Sequence, residues 1–148
     1  NGSEVDWGYT YTLKANRAAI GKRFRVRGIT NVSTSGTPGL RTRLVIGSVA
    51  VMDDVGNATG TSVSNRATYY SYEFQVRDND ATGNVFASGI FVNGSTLFSA
   101  YNGPVFLSAP SVSGSIDFNS DNVIKFASTW TGAGNTLIPQ EMTIEAVN

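Results

Sequence analysis

The sequence predicts one all-β domain, an antiparallel sandwich or barrel of eight or nine strands. Three observations carry that prediction. Period-two alternation of apolar and polar residues recurs along the chain, and no segment shows a convincing 3.6-residue apolar period. Clusters of Gly, Asn, Ser and Pro separate the alternating runs, as turns between short strands require. The 148 residues, 41% hydrophobic and 11% aromatic, suffice to bury a core as a single domain over 1–148.

Taken in order, Tyr9 to Leu13 opens the series. Arg23 to Ile29 alternates sharply, with Phe24 and Val26 pointing one way and Arg23, Arg25 and Arg27 the other. Gly36, Pro38 and Gly39 make the segment from Asn31 a turn region. Leu40 to Ile46 places Leu40, Leu44 and Ile46 on one face and Arg41 and Arg43 opposite. Val49 to Met52 is a short run, followed by a polar loop from Asp53 to Asn65. Tyr69 to Arg77 puts Tyr70, Tyr72, Phe74 and Val76 together, with Tyr69 on the other parity. Val85 to Val92 is apolar on both parities, which suits the middle of a sheet or a subunit contact. Val105 to Leu107 is a further short piece between Pro104 and Pro110. Val112 to Phe118 and Asn122 to Trp130 read as a hairpin joined through Asn119-Ser120-Asp121. Ile138 to Val147 closes the chain, with Ile138, Met142, Ile144 and Ala146 expected to face inward.

Composition excludes several functions. Lys+Arg and Asp+Glu each number 11, so no positive surplus draws the chain to nucleic acid or to an anionic membrane. No apolar stretch approaches the ~18–20 residues that span a bilayer. A near-neutral polar surface also tolerates close packing with copies of itself. With no Cys and no His, disulfides, the usual zinc sites, the Ser-His-Asp triad and a thiol nucleophile are ruled out. Asn1-Gly2-Ser3-Glu4 has the features of no signal peptide, and the missing initiator Met suits a processed product or a module of a longer one.

The remaining constellations are weighed one by one. Arg23, Arg25, Arg27, Arg41 and Arg43 fall on the polar parity of two successive strands, which antiparallel pairing would make one face. Such a face could grip phosphates or carboxylates of a glycan, pair with Glu73, Glu141 and Glu145, or form an assembly contact. Pairing or assembly is the favoured reading. Trp7, Tyr9, Tyr11, Tyr69, Tyr70, Tyr72 and Tyr101 suit stacking on sugars, but cores and interfaces use the same residues. Tyr69 and Tyr101 are the candidate aromatic contacts. Asp117-Phe118-Asn119-Ser120-Asp121 begins like a calcium loop but then fails, with Asn122 where Gly is needed and Ser128 where Glu is needed. It and Asp78-Asn79-Asp80 read as turns. Asp53-Asp54 is the sole adjacent acidic pair, and adjacency says nothing of the separation glycoside hydrolysis requires. The Asn-x-Ser/Thr matches at Asn1, Asn31, Asn57 and Asn93 are expected by chance in this composition. No catalytic residue, metal site or cofactor is expected.

Several strands carry more than period. Thr12-Leu13-Lys14-Ala15-Asn16, followed by Gly21-Lys22-Arg23-Phe24-Arg25-Val26-Arg27-Gly28, resembles the opening of a jelly-roll family of phage virion proteins. Leu40 to Gly47, Ala87 to Phe91, Asp117 to Trp130, the loop Thr131 to Thr136, and Met142 to Val147 are similar to later strands of that family. Tyr69-Tyr70 departs from it where a Trp would open the middle strand. The resemblance implies a tumour-necrosis-factor-like jelly roll, an antiparallel sandwich of about eight strands. It also implies a homotrimer, located in the virion on a tail fibre, spike or capsid, with itself and other virion proteins as partners and a host-surface glycan as a further one. A carbohydrate-binding module of a larger protein is the alternative.

Overall fold

In a computed structural model, residues 4–54, 57–59, 62–93, 105–109 and 115–147 are described. Among them are ten strands and no helix. The strands are β1 (Val5–Leu13), β2 (Arg23–Ser33), β3 (Gly39–Ile46), β4 (Val49–Asp53) and the two-residue β5 (Asn57–Ala58). They continue with β6 (Arg66–Asp78), β7 (Asn84–Asn93), β8 (Val105–Ala109), β9 (Asn122–Trp130) and β10 (Thr136–Val147). All pair antiparallel, in two sheets. The first sheet has the order β1-β9-β3-β4, with β5 also on β3, and the second has the order β10-β2-β6-β7-β8.

In chain order the described strands change sheet five times, between β1 and β2, β2 and β3, β5 and β6, β8 and β9, and β9 and β10. Because β2 pairs with β10 and β3 with β9, an antiparallel ribbon crosses from one sheet to the other. A ribbon wound across a sandwich in this way is how a jelly roll is built. The all-β antiparallel sandwich expected from the alternating pattern is thus the fold of the chain.

The paired strands β2 and β6 follow their period. Along β2, Phe24, Val26, Gly28, Thr30 and Val32 are buried and the residues between them are not. Along β6, Thr68, Tyr70, Tyr72, Phe74 and Val76 are buried likewise. Rings from the two sheets meet in the middle. Trp7 of β1 lies 4.7 Å from Phe126 of β9 and edge-on to Tyr70 of β6 at 5.5 Å. Tyr72 packs on Phe126 at 5.7 Å. Gly28 lies beneath this cluster, where a Cβ would stand 2.7 Å from Trp7 Cζ3.

A polar chain runs through the core. Trp7 Nε1 donates to Ser128 Oγ at 2.9 Å; Ser128 Oγ meets Thr42 Oγ1 at 3.0 Å, and Thr42 Oγ1 meets the Tyr70 hydroxyl at 3.1 Å. The buried Asp54 carboxylate accepts from Thr42 N at 2.7 Å. Burial, with Asp54 nearby, pushes the Tyr70 hydroxyl far above the ordinary tyrosine range, so it stays protonated. Linked groups of this kind join the sheets with hydrogen bonds that have definite partners, which apolar packing lacks.

Two sequence expectations are corrected. Of the expected strand Val112 to Phe118, the described residues 115–118 do not form a hairpin with β9. Residues 111–114 lie outside the described part, Ile116 makes an isolated bridge to Gly83, and β9 sits between β1 and β3. In β10, Ile138 faces outward and is 56% exposed, while Leu137, Met142 and Ile144 pack on the core. The cause is a register shift between Pro139 and Glu141, where Gln140 is the extra residue of a bulge. One inserted residue reverses the parity of everything before it. Ala146 lies opposite the inward-facing Phe24, as expected, but at the exposed end of the sheet.

Candidate functional site

The five arginines do not form one face. Because β2 and β3 belong to different sheets, Arg23, Arg25 and Arg27 stand on the outer surface of the second sheet. Arg41 and Arg43 stand on the outer surface of the first, on the far side of the sandwich. On each surface the guanidinium groups meet carboxylates. Arg41 pairs with Asp53 of β4, Arg43 with Glu4, and Lys125 with Asp6 at 2.8 Å.

The register of the second sheet sets up a ladder on its outer surface. Glu145, Arg25, Glu73 and Ser88 form one row across β10, β2, β6 and β7. Arg25 Nε donates to Glu73 Oε1 at 2.7 Å and Arg25 Nη1 to Glu145 Oε1 at 3.1 Å. Arg23 adds a second contact to Glu73, and Arg27 reaches Glu145 at 3.2 Å. The Arg25 hydrogen bond, helped by Arg23, holds the Glu73 carboxyl below its ordinary value. Glu141, the third expected partner, stands opposite Ile29 and makes no ion pair among the described residues.

Two rows along, the character changes. Ile29, Tyr69 and Val92 line up across β2, β6 and β7, and Ile90 lies beside them on the same surface. All four are only partly buried. Between this apolar row and the ladder is a shallow trough of about 350 Å3, bounded by Arg25, Arg27, Tyr69 and Ile90 and floored by Ser71 and Ser88. A smaller hollow of about 180 Å3 continues past Arg23 and Glu73 to Phe86, which is 37% exposed. Tyr69 therefore sits partly buried on the outer surface of the second sheet, on the parity opposite Tyr70 and Tyr72. Tyr101, the other candidate aromatic, lies outside the described residues.

The remaining candidates fall elsewhere. Trp7, Tyr70 and Tyr72 are core residues, whereas Tyr9 and Tyr11 are 42% and 44% exposed along β1. Asp117 and Asp80 spend their carboxylates on turns. Asp117 accepts from Asn119 N at 3.0 Å and Ser120 Oγ at 2.7 Å, and Asp80 from Thr82 N at 2.7 Å. Of the adjacent acids, Asp53 pairs with Arg41 and Asp54 is in the core.

Sequence reasoning missed Ile29 as a surface residue. Its signal was present, since it follows Arg23, Arg25 and Arg27 on the polar parity of β2. On this surface ion pairs commit Arg23, Arg25, Arg27, Glu73 and Glu145 to one another, with small residues and aliphatic groups beside them. Comparison with family models, with curated proteins and with solved structures returns no match.

Proposed function

We propose that this chain is a structural module of a bacteriophage virion, a jelly-roll unit that assembles as a homotrimer exposed on a tail fibre, spike or capsid. The observation that carries the reading is the outer surface of the second sheet. Ile29, Tyr69 and Val92 make an apolar row there, with Ile90 adjoining it, beside a trough floored by serines. Apolar groups side by side on an outer sheet surface are the mark of a contact face, and the ion-paired ladder beside them, three arginines on two glutamates, leaves little net charge to oppose a copy. The resemblance of the strands to phage jelly rolls supplies the setting. The role is assembly and, at an exposed end of the particle, attachment to the host.

Sedimentation and light scattering test the assembly. The purified chain should run at three times its 15.7 kDa mass, and Ile90→Glu or Ile29→Lys should yield folded monomer. A wild-type monomer at high micromolar concentration would refute it. A carbohydrate-binding module of a larger protein is the second reading, favoured by the exposed rings of Tyr9 and Tyr11.

A further inference from the structure

The sandwich is open along one side. There β1, the edge of the first sheet, and β10, the edge of the second, run past each other without a shared ladder. At one point they are stapled, where the Tyr9 hydroxyl donates to the Gln140 carbonyl at 3.2 Å, across 131 residues of sequence. From that staple a cleft extends between the edges in two connected parts. A portion of about 140 Å3 is walled by Tyr9, Tyr11, Met142 and Ile144; a larger one of about 310 Å3 continues from Tyr11 and Ile144 to Arg17 and Lys22.

The wide end of this cleft gathers two cations that have no acidic side chain as partner. All 11 cationic side chains are described, as are all 11 acidic ones, so the pairing between side chains can be followed. Seven cations are in ion pairs. Arg17, Lys22, Arg66 and Arg77 have no carboxylate side chain within ion-pair distance, and two of these four line the same cleft. Lys22 Nζ is held 5.4 Å above the Phe24 ring, which places the ammonium at the cleft wall. Lys14 lies alongside, bonded to Asp121 at 2.8 Å. The one acid of the lining, Glu145, is already committed to Arg25 and Arg27.

The geometry points to this cleft as a binding site for an anionic saccharide. The saccharide reading of the previous subsection supplies the ligand class on which this inference rests; the cleft supplies the place and the charge. The exposed faces of Tyr9 and Tyr11 give flat apolar platforms for sugar rings. Unpaired backbone groups of two edge strands offer donors and acceptors for hydroxyls. Arg17 and Lys22 at the wide end meet a carboxylate, sulfate or phosphate on the sugar. A neutral saccharide would leave both cations without a counter-charge.

The test is a printed array of neutral, carboxylated and sulfated oligosaccharides probed with the whole chain, followed by titration of sialyllactose against lactose. Binding should be confined to acidic glycans and weaken as salt is raised. Lys22→Glu and Arg17→Glu should each lower affinity roughly tenfold or more. Tyr11→Ala should lower it too. Arg66→Glu, which changes net charge equally at a site outside the cleft lining, should leave it unaltered. Acidic-glycan binding indifferent to Lys22 and Arg17 would overturn the assignment of the cleft while leaving the saccharide reading intact. Failure to bind any glycan would overturn both, and neither result bears on the trimer.

Discussion

An alanine at Gly28 would set a methyl group 2.7 Å from Trp7 Cζ3 and 2.8 Å from Phe126 Cε2. Neither ring can retreat easily. Trp7 is held by its bond to Ser128, and Phe126 is wedged against Tyr70 and Tyr72. Overpacking of a dense core costs ~1–3 kcal/mol, and losing the buried Trp7–Ser128 bond adds ~1 kcal/mol or more. Gly28→Ala should therefore lower unfolding free energy by about 3 kcal/mol in a urea titration, with the midpoint moving and the slope unchanged. The parity of Tyr70, Tyr72 and Phe74 was legible in the sequence because alternation is a local property. The role of Gly28 was not. Its partners are on the other sheet, and no spacing along the chain reports a contact across the sandwich.

Strand β10 shows what alternation can and cannot reveal. Its second half, with Met142 and Ile144 inward, reads directly from the sequence, but the bulge at Gln140 reverses the first half. An inserted residue leaves no trace in composition, so Ile138 looks like core and is not. The two positions should separate on substitution. Ile138→Asp should alter stability by no more than ~0.5 kcal/mol, whereas Leu137→Asp buries an unpaired charge and should cost about 3 kcal/mol. The ladder across β10, β2 and β6 gives a second expectation. Glu73 has a folded pKa below its unfolded one, so its contribution is present above the unfolded value and is lost as pH falls through the folded value. Stability measured from neutral pH into the acid range should fall, and Glu73→Gln should flatten that decline. With one face of each side chain in water, the effect will be modest and will shrink further in salt.

At the scale of the molecule, the all-β sandwich was legible because many short alternating runs have few other solutions. The division of the arginines was not. Adjacent strands in sequence usually pair, and here β2 and β3 cross to opposite sheets, which sends Arg23, Arg25 and Arg27 one way and Arg41 and Arg43 the other. The apolar surface behind the proposed trimer was half visible, in the two-sided run from Val85 to Val92; its continuation through Tyr69 and Ile29 needed the register. The open cleft was invisible, since it belongs to strands at opposite ends of the described chain. That same crossing ribbon has a consequence for biosynthesis. Among the described strands β1 has no ladder partner except β9, and β3 lies in its sheet beside β9. A ribosome would therefore release most of the chain before the first sheet could close. Until then the nascent polypeptide would carry greasy strands with naked edges, and closure over so many intervening residues is slow. Chaperone capture, or the company of sister chains at high local concentration on a polysome, would decide whether those edges find each other or a neighbour.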